Sequence, residues 1–198
     1  MPHSTRLLFF AGSARDGSYN KKLARLGSTI AVANGIASTF ADLGDYPMPI
    51  YDGDAEGRDG VPDNAVKLRA LMRAHHGVFI ASPEYNASFT PLLKNALDWV
   101  SRIKDEEAIA VPVYKTRVFA VGSASPGALG GLRSLSDLRG VLELGLGALV
   151  LPDQIAVGKA HEAFDEHGHL KDKASQDKFK AIIQRLAHAA KIMRSEPA

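Results

Sequence analysis

The chain of 198 residues contains no cysteine. This absence excludes disulfide bonds, a thiolate nucleophile and zinc sites built on cysteine. Proteins of the reducing cytoplasm rarely use disulfides. We therefore expect a cytoplasmic location.

Long apolar runs are also missing from the sequence. The first segment, MPHSTRLLFFAGS, carries an apolar stretch of a few residues before a Gly-Ser turn. A secretory signal or a membrane-spanning helix needs a much longer apolar run. We expect a soluble protein without a membrane partner.

Neither sign of charge dominates, since 24 Lys and Arg residues against 22 Asp and Glu residues give a net charge of +2. Without a basic patch, nucleic acid is not expected among the partners. The content of 45% hydrophobic and 23% charged residues is ordinary for a globular protein. We predict a single domain over residues 1–198.

Short apolar runs recur along the chain, each followed by a turn and a helical pattern. The predicted strands are RLLFFA (6–11), GIASTFAD (35–42), GVFIAS (77–82), TRVFAVGSAS (116–125) and GALVLP (147–152), and residues 147–170 leave room for a strand extension or a hairpin. The predicted helices cover residues 20–33, 63–74, 90–102, 132–144 and the C-terminal segment KDKASQDKFKAIIQRLAHAAKIM, and residues 44–62 are predicted as a loop.

This alternation is typical of parallel strands joined by crossover helices. The near-continuous apolar strands indicate a sheet covered on both faces. We predict a flavodoxin-like, doubly wound three-layer α/β/α domain with a five-stranded parallel sheet in the order 2-1-3-4-5. Ligands of such sheets bind where the strand order reverses, which here means the loops after residues 6–11, 77–82 and 116–123.

The first of these loops, GSARDGSYN, joins a buried strand to the N-terminus of a helix. Such a terminus favours an anion by about 0.3–1 kcal/mol per charged group, and Arg15 adds a fork suited to phosphate. The candidate cofactor-binding residues are Gly12, Ser13, Arg15, Ser18, Tyr19 and Asn20. Ser18-Tyr19 replace the Lys-Ser/Thr of a P-loop, and G-x-G-x-x-G is absent, so a monophosphate fits best. The alternative is that Ser18 only caps the helix and Arg15 is solvated.

The second loop is SPEYNAS, residues 82–88. Pro83 fixes the direction in which the chain leaves the strand. Glu84, Tyr85 and Asn86 then present polar groups that suit a flat ring with heteroatoms at its edge. Tyr85 and Asn86 are candidates for orienting that ring. The alternatives are an ordinary surface role for Tyr85 and an ion pair, within or between subunits, for Glu84.

The third loop, GSASPGALGG, covers residues 122–131. Glycine allows the backbone to approach a ligand closely, and Ser123 and Gly127 are the candidates here. A loose surface turn is the alternative.

Other reactive patterns are missing. HEAFDEHGHL (161–170) lacks the H-E-x-x-H spacing, so we predict a solvated hairpin or loop and no metal site. The G-x-S-x-G elbow of serine hydrolases is also absent. We assign no catalytic side chain.

Two of these segments resemble one protein family. GSARDGSYNKKLA is similar to the G-S-x-R-x-x-S-x-N-x-x-L segment of the NADPH-dependent FMN reductases, and SPEYNASFTPLLKNALDW resembles their P-E-Y-N-x-S-x-P-x-x-L-K-N-A-x-D-W segment. The similarity runs over residues 7–151. It implies bound FMN, with the phosphate at Ser13, Arg15, Ser18 and Asn20, the ring at Pro83, Glu84, Tyr85 and Asn86, and Ser123 closing the site.

The resemblance also implies an activity. Members of the family pass hydride from NADPH or NADH through FMN to a flavin, quinone, azo or metal-oxyanion acceptor, and we expect a ping-pong reaction in which the cofactor carries the chemistry. They are usually dimers or tetramers, so a homo-oligomer is expected. The alternatives are a flavodoxin-type electron carrier that docks on redox proteins and a non-catalytic FMN-binding protein.

Overall fold

The computed structural model describes residues 5–103 and 112–195, and within them five parallel strands form one sheet. The strands are β1 (Arg6–Ala11), β2 (Ala37–Asp42), β3 (Gly77–Ala81), β4 (Val118–Ala124) and β5 (Leu149–Val157). Their order across the sheet is β2-β1-β3-β4-β5. The predicted strand order is confirmed.

Helices connect the strands on both sides of the sheet. They are α1 (Tyr19–Ala33), α2 (Gly53–Asp59), α3 (Asp63–Arg73), α4 (Pro91–Arg102), α5 (Leu132–Gly140), α6 (Ala160–Ala163) and α7 (Lys173–Ser195). A 3-10 turn, Leu43–Asp45, follows β2, and a π-helical turn, Val141–Gly145, continues α5. The predicted long C-terminal helix is therefore present as α7.

Alternate residues of β1 enter two different cores. Leu7 and Phe9 pack with buried residues of α1 and α7. Leu8 and Phe10 point the other way and pack with buried residues of α3, α4 and α5. All four side chains are at most 1% exposed, which is why this strand reads as a continuous apolar run. The doubly wound three-layer class is confirmed.

The prediction of an irregular loop over residues 44–62 is wrong for its second half. That segment contains α2, which begins after Asp52, whose carboxylate accepts the N–H groups of Asp54 at 2.8 Å and Ala55 at 3.0 Å. Such a side-chain cap satisfies N–H groups that have no partner within the helix. Two glycines in seven residues lower the intrinsic helix propensity and concealed the helix in the sequence.

β5 extends to Val157 and contains an irregularity at its centre. Phe119 pairs with Val150, but Val121 pairs with Gln154, so the strand bulges around Pro152. Proline lacks the N–H that a ladder requires and is tolerated on an edge strand or in a bulge. Arg139 stabilises the bulge because its guanidinium donates to the Leu151 carbonyl and, at 2.8 Å, to the Gln154 side chain. The strand extension beyond residue 152 is therefore present.

Candidate functional site

The three predicted loops meet in one cavity at the carboxyl end of the sheet. Ala11 pairs with Ala81, and Ala81 pairs with Gly122, so the loops leave the sheet side by side. The cavity has a volume of about 110 Å³ and is lined by Ser13, Arg15, Ser18, Tyr19, Asn20, Pro83, Glu84, Tyr85, Ala124, Ser125 and Pro126. Eight of the twelve predicted residues belong to this lining, and the other four, Gly12, Asn86, Ser123 and Gly127, adjoin it in sequence.

The first wall of the cavity is the loop before α1. Ser18 caps the helix, since its Oγ accepts the Lys21 N–H at 3.3 Å. Ser13 Oγ accepts the Arg15 N–H at 3.3 Å, and the Arg15 side chain is exposed. A hydroxyl that accepts in this way still has its own hydrogen to donate. The cap role of Ser18 is therefore confirmed, and it leaves donors that could face an anion.

Close packing fixes the base of this loop. A Cβ at Gly12 would lie 2.9 Å from Leu93 Cβ and 3.0 Å from Thr90 Oγ1, so a larger residue does not fit. Thr90 caps α4 and donates its hydroxyl to the Gly12 carbonyl at 2.6 Å. This hydrogen bond links the base of the first loop to the start of α4, which follows the second loop. Thr90 was not among the predicted site residues.

A buried cation lies beneath the same loop. Lys21 Nζ donates to the Ala14 carbonyl at 3.0 Å and pairs with an Asp42 carboxylate oxygen at 2.7 Å, with the lysine side chain 7% exposed. The helix dipole disfavours a cation in the first turn of a helix. A lysine buried in this turn therefore needs a partner, and the sequence prediction included neither Lys21 nor Asp42.

Asn20 links the first loop to the end of β4. Its Oδ1 accepts the Ala124 N–H at 3.0 Å, and its Nδ2 donates to the Ala124 carbonyl at 2.8 Å. The backbone hydrogen bonding between β3 and β4 ends with the Ser82 N–H, which donates to the Gly122 carbonyl at 2.8 Å. The chain after β3 then turns away at Pro83. The Asn20 carboxamide thus takes the place of a missing peptide group. Only the second Nδ2 hydrogen of Asn20 remains for the predicted contact with a phosphate.

The second wall ends in a tight two-residue turn. Tyr85 and Ser88 exchange backbone hydrogen bonds of 2.8 and 3.1 Å, and the residues between them, Asn86 and Ala87, have φ of 51° and 69°. Positive φ at both central residues is the pattern of a type I′ hairpin turn. Asn tolerates this region, whereas alanine is strained there. Strain of this kind clusters at functional sites.

We expect Ala87→Gly to stabilise the protein by about 0.5–1 kcal/mol, because the strain relieved slightly exceeds the added chain entropy of glycine. Urea denaturation followed by circular dichroism measures the change. The matched control is Ala70→Gly in the exposed middle of α3, where the same substitution should destabilise by about 1 kcal/mol. Destabilisation at both positions would contradict the assignment of strain to Ala87.

The carboxylate of Glu84 is engaged by another part of the chain. Arg133 Nε donates to Glu84 Oε1 at 2.7 Å, Arg133 Nη2 makes a second contact with the same oxygen, and the Arg133 N–H donates to Oε2 at 3.1 Å. The hydrogen bond from the Arg133 side chain holds the pKa of Glu84 below its usual value. The ion-pair alternative for Glu84 is confirmed within the chain. Because Arg133 occupies the Glu84 carboxylate, the predicted contact of Glu84 with the ring has to come from its backbone.

The third wall is the Gly-rich loop after β4. Ser123 is fully buried, and its Oγ has no hydrogen-bond partner among the residues described. Gly130 has φ of 64°, and a Cβ there would lie 2.6 Å from the Val157 carbonyl carbon. The loop therefore packs tightly on the end of β5, which a loose surface turn would not do. Gly127 donates its N–H to Ser125 Oγ at 3.3 Å.

The polar residues of α4 hold a neighbouring loop. Asn95 Nδ2 and Trp99 Nε1 both donate to the Pro49 carbonyl, at 2.9 and 2.7 Å, and Asn95 Oδ1 accepts the Tyr51 N–H at 2.8 Å. Trp99 is 1% exposed, and the Tyr51 ring meets it edge-on with centroids 5.0 Å apart. The K-N-A-L-D-W part of the sequence motif thus fixes residues 49–51 rather than lining the cavity.

The histidine-rich segment, residues 161–170, folds as a short helical turn and a β-bridge. Phe164 and Leu170 form an isolated β-bridge, which agrees with the predicted hairpin, although His161 lies in α6. Within residues 5–103 and 112–195, no three His, Asp or Glu side chains are arranged to hold a metal ion. None of the helices in those two ranges combines the length and apolarity needed to span a membrane.

The arrangement fits a phosphorylated ligand with a flat ring. The N-terminus of α1, the Ser13 and Ser18 hydroxyls and Arg15 supply donors for a phosphate. The Tyr85 turn supplies an aromatic face and backbone groups a few residues from the end of β3. A doubly wound sheet with these groups at its switch point defines the class of flavodoxin-like proteins that bind a nucleotide cofactor.

Comparison with known proteins narrows this class to one family. Residues 5–162 match the NADPH-dependent FMN reductases, and the chain belongs to that family. It is 34% identical over 142 residues to a quinone reductase of Escherichia coli strain K12, with 72% of this chain and 71% of the relative covered. It is 32% identical over 194 residues to an NAD(P)H-dependent FMN reductase of Pseudomonas aeruginosa, covering 97% and 96% of the two chains.

The fold is shared with a solved flavoenzyme. The NAD(P)H:acceptor oxidoreductase FerB of Paracoccus denitrificans superposes with a TM-score of 0.78 at 22% identity, covering 96% of this chain and 99% of FerB. Membership of the FMN reductase family, and not this superposition, makes the protein an oxidoreductase of a family that uses FMN and a nicotinamide nucleotide.

Proposed function

We propose that the cavity binds FMN, with its phosphate at the N-terminus of α1 and its ring beside the Tyr85 turn. The observation that carries this proposal is that both family motifs line one cavity, although about 65 residues separate them in the chain. A volume of about 110 Å³ is below the ~300–1,000 Å³ that encloses a whole drug-sized ligand. It suits the phosphate end, with the ring beside Tyr85, which is half exposed.

We assign a separate role in FMN binding to each wall of the cavity. Ser13, Ser18 and Arg15 bind the phosphate, and Asn20 supplies one further donor. The backbone of Pro83, Glu84 and Asn86 with the Tyr85 side chain orients the ring, and Ser123 and Gly127 close the third side. FMN, when bound, supplies the acceptance and donation of hydride. No side-chain nucleophile is required.

We propose that NADPH or NADH is the donor and that a small molecule, such as a quinone, flavin, azo compound or metal oxyanion, is the acceptor. Donor and acceptor would use the exposed Tyr85 side of the site in turn, as a ping-pong reaction requires. We further propose that residues 1–198 form a single FMN-binding domain and that the protein is located in the cytoplasm. Quinone reductases among the relatives support a quinone acceptor.

Anaerobic reduction of the FMN-loaded protein by each nucleotide, followed by a panel of acceptors, tests this function. Bleaching of the flavin by NADPH or NADH alone, and reoxidation by a free quinone, is the expected result. A flavin that binds but is not reduced by either nucleotide would point to a non-catalytic FMN-binding protein. Reduction that needs a second redox protein would point to an electron carrier.

Arg15→Ala should weaken FMN binding by roughly 10–100-fold, because one charge-assisted hydrogen bond to phosphate is worth about 1.5–3 kcal/mol. Titration of the apoprotein with FMN, followed by quenching of flavin fluorescence, measures the affinity. Riboflavin, which lacks the phosphate, should bind the variant and the parent protein equally. Arg58→Ala on the exposed face of α2 is the control and should change neither affinity. An unchanged FMN affinity in Arg15→Ala would remove Arg15 from the site.

We also propose a homo-oligomer in which a second copy of the chain covers the groove between α4 and α5. The groove has a volume of about 920 Å³, and its apolar lining includes Phe89, Pro91, Val141 and Leu146. Leu144 is 90% exposed and adjoins the lining residue Gly145 in sequence, so an exposed apolar side chain accompanies the apolar groove, as suits an interface between two copies. Light scattering after size-exclusion chromatography should give a dimer or tetramer, and a monomeric mass would overturn this proposal.

A further inference from the structure

Glu84 and Arg133 form a pair of opposite charges beside the candidate ring site. Glu84 lines the cavity between Pro83 and Tyr85, and its side chain is 8% exposed. Arg133 reaches it from the first turn of α5, 49 residues further along the chain. The Arg133 side chain is 61% exposed and is not part of the cavity lining. The carboxylate is thus the inner member of the pair and the guanidinium the outer one.

The two charges have opposite effects on a nearby group that gains electrons. A bare carboxylate close to the ring would repel the incoming negative charge, and water cannot screen it well at this level of burial. The guanidinium and the N-terminus of α5 cancel most of that repulsion. An ion pair with one largely exposed partner contributes little to folding stability. The electrostatic effect of the pair can therefore be separated from its effect on the fold.

We propose that Arg133 is a positioning residue for the reaction, which holds the Glu84 carboxylate against α5 and neutralises it so that FMN in this cavity is easier to reduce. This inference rests on the proposed function. Arg133 acts through Glu84 and is not a catalytic residue. We expect that neutralising Glu84 and neutralising Arg133, each in a separate variant, shift the reduction potential of bound FMN in opposite directions.

The test uses two variants of the FMN-loaded protein. Arg133→Gln leaves the carboxylate unpaired and should make the midpoint potential more negative than in the parent protein. Glu84→Gln keeps an amide oxygen to accept from Arg133 but leaves an unbalanced cation, and should make the potential more positive. The double variant should return close to the parent value. Spectroscopic titration against reference dyes measures all four proteins.

A second ion pair provides the matched control. Arg102 and Glu56 form a similar pair, with side chains 47% and 17% exposed, but neither residue lines the cavity. Arg102→Gln and Glu56→Gln should leave the potential unchanged. If the Glu84–Arg133 pair only holds the second loop against α5, both of its single variants would shift the potential in the same direction, and that result would overturn the inference. An unchanged potential in both would also overturn it. Failure of the parent protein to retain FMN would instead refute the proposed function.

Discussion

Replacing Lys21 with methionine is expected to destabilise the protein by about 2–4 kcal/mol and to lower its Tm by roughly 5–15 °C. Lys21 and Asp42 form an ion pair in which the lysine is almost fully buried and Asp42 is 21% exposed. Removing one partner of such a pair leaves the other charge poorly solvated. The change also removes the hydrogen bond to the Ala14 carbonyl, which holds the loop before α1. FMN affinity should therefore fall together with stability.

The double variant Lys21→Met/Asp42→Asn tests the origin of that effect. Asparagine keeps the Oδ1 atom that accepts the Gly44 N–H at 2.9 Å but carries no charge. The double variant should recover part of the lost stability, since adjacent sites are coupled. Urea denaturation at constant protein concentration compares both variants with the parent protein. A double variant less stable than Lys21→Met would show that the buried charge is not the source of the loss.

Asn20→Leu should cost about 2–4 kcal/mol of stability, because it leaves the N–H and the carbonyl of Ala124 without their partner. Each buried backbone group that loses its hydrogen bond costs about 1–3 kcal/mol. Leucine has nearly the same shape, so the loss reports hydrogen bonding rather than a cavity. The end of β4 should also become mobile, which hydrogen exchange at Ala124 and Ser125 measures.

Two further variants sharpen the Asn20 result. Asn20→Asp keeps the acceptor for the Ala124 N–H but sets a carboxylate oxygen against the Ala124 carbonyl, so it should also destabilise the protein. Asn64 donates a single hydrogen bond, of 2.8 Å, to the Pro47 carbonyl near the surface. Asn64→Leu should therefore cost only about 0.5–1.5 kcal/mol. Equal losses at the two positions would contradict the role assigned to Asn20.

The fold could be predicted because its signals are local. β1, β3 and β4 are buried on both faces and read as unbroken apolar runs, and the strand order then fixes which loops meet. α2 was missed because its stability comes from the Asp52 cap and from the contact between Glu56 and Arg102, not from helix propensity. A helix of this kind has no periodic signal in the sequence.

The site could be predicted to the level of its loops but not of its individual bonds. Ser13, Ser18 and Tyr85 could be proposed from the sequence because their residue types suit a phosphorylated ligand with a flat ring, and the structure places them around one cavity. The partners that hold the loops in place, Lys21 with Asp42 and Glu84 with Arg133, are separated by 21 and 49 residues. Such pairings depend on the folded geometry, so no single-sequence pattern distinguishes them from solvated charges.

The contact between α4 and residues 49–51 gives this protein an internal optical reporter. The chain has one tryptophan, so all of its indole emission comes from Trp99 at that junction. Release of the Pro49 carbonyl would expose the indole N–H to water and shift the emission to longer wavelength. The attachment of this loop to the helix can therefore be followed in real time without any added label.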